Sequence, residues 1–254
     1  MLIVSDVHAN FDALARVAAT GEPLLILGDF LNFIDYRTGE GMAQDVYGAE
    51  HVRQLIMNRR TSNWDATREL WRQATDGRED EIRHLITKAV DTQHEATSAA
   101  LERANAYVIF GNVDWPDQLR AALPEDVQWV DGRVIEIEGY SIGFVGGGVP
   151  TPVGARGEVS HEEMEAKLDS LGAVDILCTH VAPRVEPLYR DVITGRLERS
   201  SQVVLDYLRR HRPRYHYFGD VHQPQAYTWQ VDDTLCRNAG YFRATGRPIR
   251  HDAK

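Results

Sequence analysis

The sequence is poor in cysteine and in long apolar runs, and each shortage excludes a class of protein. Two cysteines among 254 residues, Cys178 and Cys236, cannot supply the disulfide framework of a small secreted domain. No apolar run approaches the roughly 18 residues that a membrane-spanning helix needs. Asp6 and His8 follow Met1 too closely to leave room for a signal peptide. We therefore expect a cytoplasmic protein with no membrane partner.

Basic charge is also scarce. The 28 Lys and Arg residues are outnumbered by 38 Asp and Glu residues, which gives a formal net charge of −10. Such a surface repels long nucleic acids and anionic membranes. A small phosphorylated substrate stays compatible with it, because bound divalent cations can reverse the local sign of the charge.

Five short apolar runs, rich in Val, Ile, Leu, Phe and Tyr, each end at a polar cluster. The runs span residues 2–4, 23–27, 107–110, 174–178 and 215–218. Their composition and length are typical of buried strands. Helical patterns with one apolar face lie between them at 10–20, 160–171 and 201–210. This alternation predicts an α/β layered fold, in which ligands bind beyond the carboxyl ends of the strands.

The polar clusters at these strand ends supply Asp, His and Asn side chains. They are Asp6 with His8, Gly28 with Asp29, Asn112 with Asp114, His180, and Asp220 with His222. One such cluster alone is usually turn chemistry, in which Gly adopts an unusual backbone angle and Asp or Asn caps the next helix. Five clusters at five strand ends instead predict a metal centre.

In this order the clusters resemble the motifs of the calcineurin-like metallophosphoesterases, in a bacterial-type variant. The motifs read D-x-H, G-D, G-N-x-D, an isolated His and G-x-x-H, and they cover residues 2 to about 224. The resemblance implies a four-layer α/β/β/α sandwich with two divalent cations at one end. It also implies an enzyme that hydrolyses a small phosphodiester or phosphomonoester by attack of a metal-bridging hydroxide.

The resemblance also implies a ligand set. Asp6, His8, Asp29 and His222 would bind one cation. Asp29, Asn112 and His180 would serve the second, with Asp29 bridging the pair and with Asn112 and His180 counted as catalytic. Mixed carboxylate and imidazole ligands favour Mn, with Fe, Zn, Ni or Mg as alternatives. A bridging carboxylate suits the separation of roughly 3.5–4 Å that two-metal hydrolysis uses.

The third motif departs from the usual pattern of the family. Val113 stands where many relatives have His, and its side chain cannot protonate a leaving group. A general acid typically contributes about 10²–10⁴-fold to the rate, so its loss favours diesters with acidic leaving groups. The general acid could instead be supplied from another position. Asp114 is expected to hold the loop, and proton donation is its alternative role.

The last motif departs as well, because Asp220 stands where relatives have a His that binds the second cation. Asp220 could ligate this cation as a shorter, more anionic ligand and favour Mn or Mg over Zn. It could instead fail to reach the cation. The chain would then be a degenerate relative that binds a phosphorylated ligand or partner without efficient turnover.

Two further residues are candidates for substrate binding. Asn10 matches an Asn of the family's first motif and could donate a hydrogen bond to the phosphoryl group, so we assign it to catalysis and substrate binding. Its alternative role is to cap the helix that begins at Phe11. Arg156, in a glycine-rich loop, is a cation that could bind a phosphate.

We interpret residues 1–254 as a single domain with a helical insertion at about 36–104. The pattern of residues 64–104 predicts two helices that are separated by a break near 75–80. The second helix has an apolar face, and we expect His84 and His94 to lie outside it in solvent. The insertion could cover the metal site, enlarge the core or form the interface of a homo-oligomer.

Overall fold

The computed structural model describes residues 1–152 and 154–251. The chain divides into two compact units, one formed by Met1–Phe30 with Ala96–Lys254 and the other by Leu31–Glu95. The interpretation of the whole chain as a single domain stays a prediction.

Two sheets form the framework of the larger unit. Their strands are β1 (Leu2–Val4), β2 (Leu24–Ile26), β3 (Ala106–Val108), β4 (Gln128–Trp129), β5 (Arg133–Ile137), β6 (Tyr140–Val145), β7 (Ile176–Thr179), β8 (Tyr215–Phe218), β9 (Thr228–Val231), β10 (Thr234–Asn238) and β11 (Ile249–Arg250). The first sheet has the order β11-β1-β2-β3-β4, and the second has the order β5-β6-β7-β8-β10-β9. All five runs predicted as strands therefore form strands, and neighbouring members of this set pair in parallel.

The helices of the described residues complete the secondary structure. They are α1 (Phe11–Ala18), α2 (Met42–Tyr47), α3 (Ala49–Arg60), α4 (Trp64–Thr75), α5 (Glu79–Ala100), α6 (Pro116–Ala122), α7 (His161–Leu171), α8 (Glu186–Tyr189), α9 (Gln202–His211) and α10 (Phe242–Thr245). Side chains cap the three helices predicted in the larger unit: Asn10 caps α1, Ser160 caps α7 and Ser201 caps α9.

Alternate residues of each central strand enter different cores. Ile3 of β1 and Leu25 of β2 share a buried cluster with Ile142 of β6 and Ile176 of β7, which fills the space between the two sheets. The next residues along the same strands, including Leu2, Val4, Leu24 and Leu177, belong to a cluster that also contains residues of α1, α7 and α9. The sheets are thus buried on both faces, as expected for parallel strands, and the predicted four-layer sandwich is confirmed.

The smaller unit is helical. α4 and α5 are separated by residues 76–78, which confirms the predicted break. His84 is exposed as expected, but His94 is only 3% exposed. The expectation for His94 was wrong because it follows buried Val90 by four residues and therefore continues the same helix face. The proposed roles of the insertion, including a homo-oligomer interface, stay predictions.

Among the helices of the described residues, none is both long and apolar enough to span a membrane.

Candidate metal centre

Parallel pairing places the predicted ligands at one end of their sheets. β1, β2 and β3 are neighbours in the first sheet, and β7 and β8 are neighbours in the second. The loops that follow these five strands carry Asp6 and His8, Asp29, Asn112, His180, and Asp220 with His222. The two sheets meet at this end, because the amide of Asp220, after β8, donates to Asp6 Oδ2, after β1, at 3.1 Å.

Asp6, His8 and His222 form a first group whose ligand atoms lie close enough to hold one ion. His222 Nε2 lies 3.2 Å from Asp6 Oδ1 and 3.3 Å from His8 Nε2. Two imidazole nitrogens and one carboxylate oxygen therefore converge on one point. Asp6 Oδ1 is buried, and within residues 1–152 and 154–251 it accepts no hydrogen bond. A buried carboxylate oxygen of this kind suits a cation ligand.

Asp6, Asp29 and His180 form a second group of the same kind. His180 Nε2 lies 3.5 Å from Asp29 Oδ1 and 3.2 Å from Asn112 Oδ1. The same nitrogen lies 3.9 Å from Asp220 Oδ1. All the residues assigned to the second cation therefore surround His180 Nε2.

Asp29 lies between the two groups. Its Oδ1 atom faces His180, while its Oδ2 atom is 3.6 Å from His8 Nε2. This orientation, with one oxygen toward each group, is the arrangement that a bridging carboxylate needs. Asp6 is common to both groups as well. The functional roles of these seven residues stay predictions, but the fold brings all seven together.

The surroundings of Asp29 and His180 fix their orientation. The Asp114 carboxylate accepts hydrogen bonds from the amides of Asp29, Phe30 and Gly111, each at 2.8 Å. This confirms the expectation that Asp114 holds the loop. His180 Nδ1 lies 2.7 Å from Leu27 O, a geometry in which the ring donates from Nδ1. A His with this tautomer presents the lone pair of Nε2 to the site, as metal-binding histidines do.

The backbone of the site is strained. Asp6, His8, Asp29 and Asp220 have φ values of 58°, 39°, 57° and 65°. Residues other than glycine rarely adopt this left-handed region of backbone angles. Each such residue costs about 1–3 kcal/mol, and such residues cluster at functional sites. Gly219 shows how tightly the loops meet, because a Cβ atom there would lie 2.5 Å from Asp6 Oδ2. The glycine of this motif is therefore required by close approach.

Burial disfavours the charged form of the carboxyl groups at this end of the sheets. Burial raises the pKa of Asp29 to about 8 and that of Asp220 to about 6. Burial acts against protonation of His180, yet Asp29, Asp220 and Asp6 together raise its pKa to about 9. Three neighbouring carboxylates, of which those of Asp6 and Asp29 are buried and that of Asp220 is partly exposed, need positive charge to stay ionised, and divalent cations supply it. The donor set therefore fits two divalent cations with oxygen and nitrogen ligands.

Asn10, Arg156 and Val113 occupy the margins of the site. Asn10 Oδ1 accepts from the amide of Ala13 at 3.4 Å, and its Nδ2 donates to Arg243 O at 2.9 Å. The structure therefore shows the capping role, and contact with substrate stays a prediction. The amide of Val113 donates to Asp29 Oδ1 at 3.1 Å.

Arg156 has a defined position. It is exposed, and its guanidinium carbon lies 3.7 Å from the centre of the Trp115 ring. Its neighbour Gly157 packs directly on the backbone of Gly111 and Asn112. Arg156 is therefore held beside the loop that carries Asn112, and its contact with phosphate stays a prediction.

Two residues that position candidate ligands could not be predicted from the polar residues at strand ends. Leu27 acts through its backbone carbonyl, which no side-chain motif encodes. Tyr241 stacks on His222, with ring centres 3.9 Å apart and ring planes 7° apart. The segment "RNAGYF" at 237–242 could be noticed as a turn, but its contact with His222 depends on how the chain returns from β10.

Two solved structures are similar to this chain in fold. One solved structure has 16% sequence identity to this chain and a TM-score of 0.57, and the match covers 95% of this chain and 90% of the other. The crystal structure of TT1561 from Thermus thermophilus has 13% identity and a TM-score of 0.54, with 95% and 89% covered. At these identities the likeness shows the fold alone. None of the curated proteins compared with the chain gives a significant match.

A family comparison extends this result. The sequence profile described as "Calcineurin-like phosphoesterase" matches residues 1–224, which include all seven candidate ligands. The chain therefore belongs to the calcineurin-like phosphoesterase family.

Proposed function

We propose that the chain is a binuclear metallophosphoesterase that hydrolyses a small phosphodiester. The family supports a metal-dependent phosphoesterase in general. One observation carries the finer proposal: two groups of ligand atoms share Asp6, and Asp29 directs one oxygen to each side. Two adjacent divalent cations, when bound, acidify water and neutralise charge on the phosphoryl oxygens.

The residues of the chain have distinct tasks in this proposal. Asp6, His8, Asp29 and His222 would hold one cation, and Asp29, His180, Asn112 and Asp220 would hold the other. Asp114 fixes the backbone on either side of Asp29, and Leu27 fixes the His180 tautomer. These contacts exist before substrate binds, so the ligands need little rearrangement.

Val113 supports a diester as the preferred substrate. A Val side chain has no proton to give, so the leaving group must depart without help from this position. Diesters with acidic alcohols or phenols tolerate this, because their leaving groups are stable as anions. Arg156, whose guanidinium lies over the Trp115 ring beside the loop of Asn112, is proposed to bind the phosphate or a second anionic group of the substrate.

Manganese is the proposed cation. Asp6, Asp29 and Asp220 contribute three carboxylates, and hard oxygen ligands favour Mn over Zn.

The cytoplasm is the proposed compartment, because Cys178 and Cys236 are free and buried, which suits reducing conditions.

The proposal is tested with bis(4-nitrophenyl) phosphate and 4-nitrophenyl phosphate. Protein stripped with a chelator and reconstituted with Mn²⁺ is expected to hydrolyse the diester faster than the monoester. Asp29→Asn is expected to abolish both activities, and Asp126→Asn, which changes an exposed carboxylate, is expected to retain them. Absence of both activities in the reconstituted wild type would contradict the proposal.

A second candidate function rests on Asp220. If its shorter side chain holds no cation, the protein binds a phosphorylated ligand or partner at the first cation without efficient turnover. Binding of a single Mn²⁺ per chain, together with binding of inorganic phosphate, would favour this second function.

A further inference from the structure

Three aromatic rings contact one another at the first ligand group. Tyr241 stacks face to face on His222, with ring centres 3.9 Å apart and planes 7° apart. The same Tyr meets His8 edge-on at 5.9 Å, and His8 meets His222 edge-on at 5.2 Å. Tyr241 is 7% exposed, so its ring is held by its surroundings.

The stack matters because the His222 ring is the most exposed of the three candidate ligand imidazoles and is otherwise the least restricted by packing. Its side chain is 36% exposed, compared with 11% for His8 and 0% for His180. His180 is oriented by a hydrogen bond to a carbonyl. For His222 the parallel Tyr ring restricts rotation of the imidazole, and the plane so fixed directs Nε2 toward Asp6 Oδ1. Groups that orient a ligating His typically contribute about 10–100-fold to metal affinity.

The residues after Tyr241 hold the other half of the first ligand group. Four hydrogen bonds join them to the loop that follows β1: Phe242 N to Ser5 O at 3.1 Å, Arg243 N to Asp6 O at 3.0 Å, Arg243 Nη1 to His8 O at 2.6 Å, and Asn10 Nδ2 to Arg243 O at 2.9 Å. Asp6 and His8 lie in this loop with strained positive φ values. Such conformations persist only where surrounding contacts impose them.

We propose that residues 241–243 are a positioning element of the first cation site, in which Tyr241 orients His222 and Arg243 holds the loop of Asp6 and His8. The segment lies beyond residue 224, where the family match ends. The inference rests on the proposed function, since it requires that a cation binds at this group. It assigns to Tyr241 and Arg243 control of cation affinity without direct contact with the cation or substrate.

The test measures Mn²⁺ binding to chelator-stripped protein by calorimetry. Tyr241→Leu removes the ring and is expected to weaken one of the two Mn²⁺ sites by roughly 10–100-fold while leaving the other unchanged. Tyr241→Phe keeps the ring and is expected to bind both ions within about two-fold of wild type, because the stack needs no hydroxyl. Arg243→Met provides a second, independent variant and is expected to weaken the same site.

Tyr207→Leu is the matched control, because Tyr207 is also buried but lies on α9, where its hydroxyl donates to Gly172 O at the end of α7. It is expected to lower thermal stability without changing Mn²⁺ affinity. Unchanged affinities in folded Tyr241→Leu and in Arg243→Met would overturn the inference while the proposed function stood. A wild type that binds no Mn²⁺ would overturn both.

Discussion

The carboxylate of Asp220 faces His180, with Asp220 Oδ1 3.9 Å from His180 Nε2. The backbone fixes this direction, because the amide of Asp220 donates to Asp6 Oδ2 at 3.1 Å and its φ is 65°. Its side chain is 20% exposed. Asp220, which replaces the His usual in the family, is therefore oriented toward the second ligand group.

Asp220→Ala is expected to weaken binding of the second cation by roughly 10–100-fold, because it removes one of the few ligands in the second group. Asp220→His is expected to retain two cations and to shift the preference from Mn²⁺ toward Zn²⁺, since imidazole is the softer ligand. Metal content is measured by mass spectrometry after gel filtration. Two tightly bound cations in Asp220→Ala would show that Asp220 is not a ligand.

Asp114→Asn is expected to destabilise the protein and to impair metal binding. Its two oxygens accept three amide hydrogen bonds, and an Asn would turn a donor toward at least one of those amides. The expected loss is about 3 kcal/mol in the free energy of unfolding, which urea denaturation measures. Asp117→Asn, at an exposed position on α6, is the control. Equal stability of the two variants would refute the structural role of Asp114.

Much of the fold could be predicted because each central strand is a short apolar run with a polar end. Parallel neighbouring strands then bring their polar ends together, so the candidate ligands could be predicted from the sequence as well. The pattern could not show that Asn10 caps α1, because an Asn after a strand fits both roles. It could not reveal Tyr241 or the Leu27 carbonyl, whose contacts depend on packing between distant segments. His94 was placed wrongly because the buried face of α5 extends one turn beyond Val90.

The pH dependence of stability is expected to contain a contribution from His216. This residue is fully buried, and burial lowers its pKa to about 3 from the usual 6.5. The contribution is fully present above pH 6.5, and it is lost as the pH falls from 6.5 toward 3, because only the unfolded state gains the proton. Between pH 7 and 5.5 this amounts to about 1.2 kcal/mol.

Urea denaturation of wild type and His216→Gln at these two pH values checks the expectation. Gln can still donate to Thr179 Oγ1, which lies 2.9 Å from His216 Nε2, but it does not titrate. The variant is expected to lose less stability than the wild type on acidification. An identical loss in both proteins would contradict the role of His216.

Arg156→Ala is expected to raise KM for an anionic diester about 10-fold without changing the number of bound cations. The guanidinium lies over the Trp115 ring, beside the loop of Asn112. Loss of one charge-assisted contact supports this magnitude. Arg120→Ala, at an exposed position on α6, is the control. An unchanged KM in Arg156→Ala would place the substrate elsewhere.

We propose above all that two cations act together at the shared ligands Asp6 and Asp29. The most direct measurement titrates Mn²⁺ into chelator-stripped protein while following bound metal and hydrolysis of bis(4-nitrophenyl) phosphate in the same samples. We predict two bound equivalents, with little hydrolysis after the first and full activity only after the second. Full activity at one equivalent, or equal activity without added metal, would show that two cations do not act together.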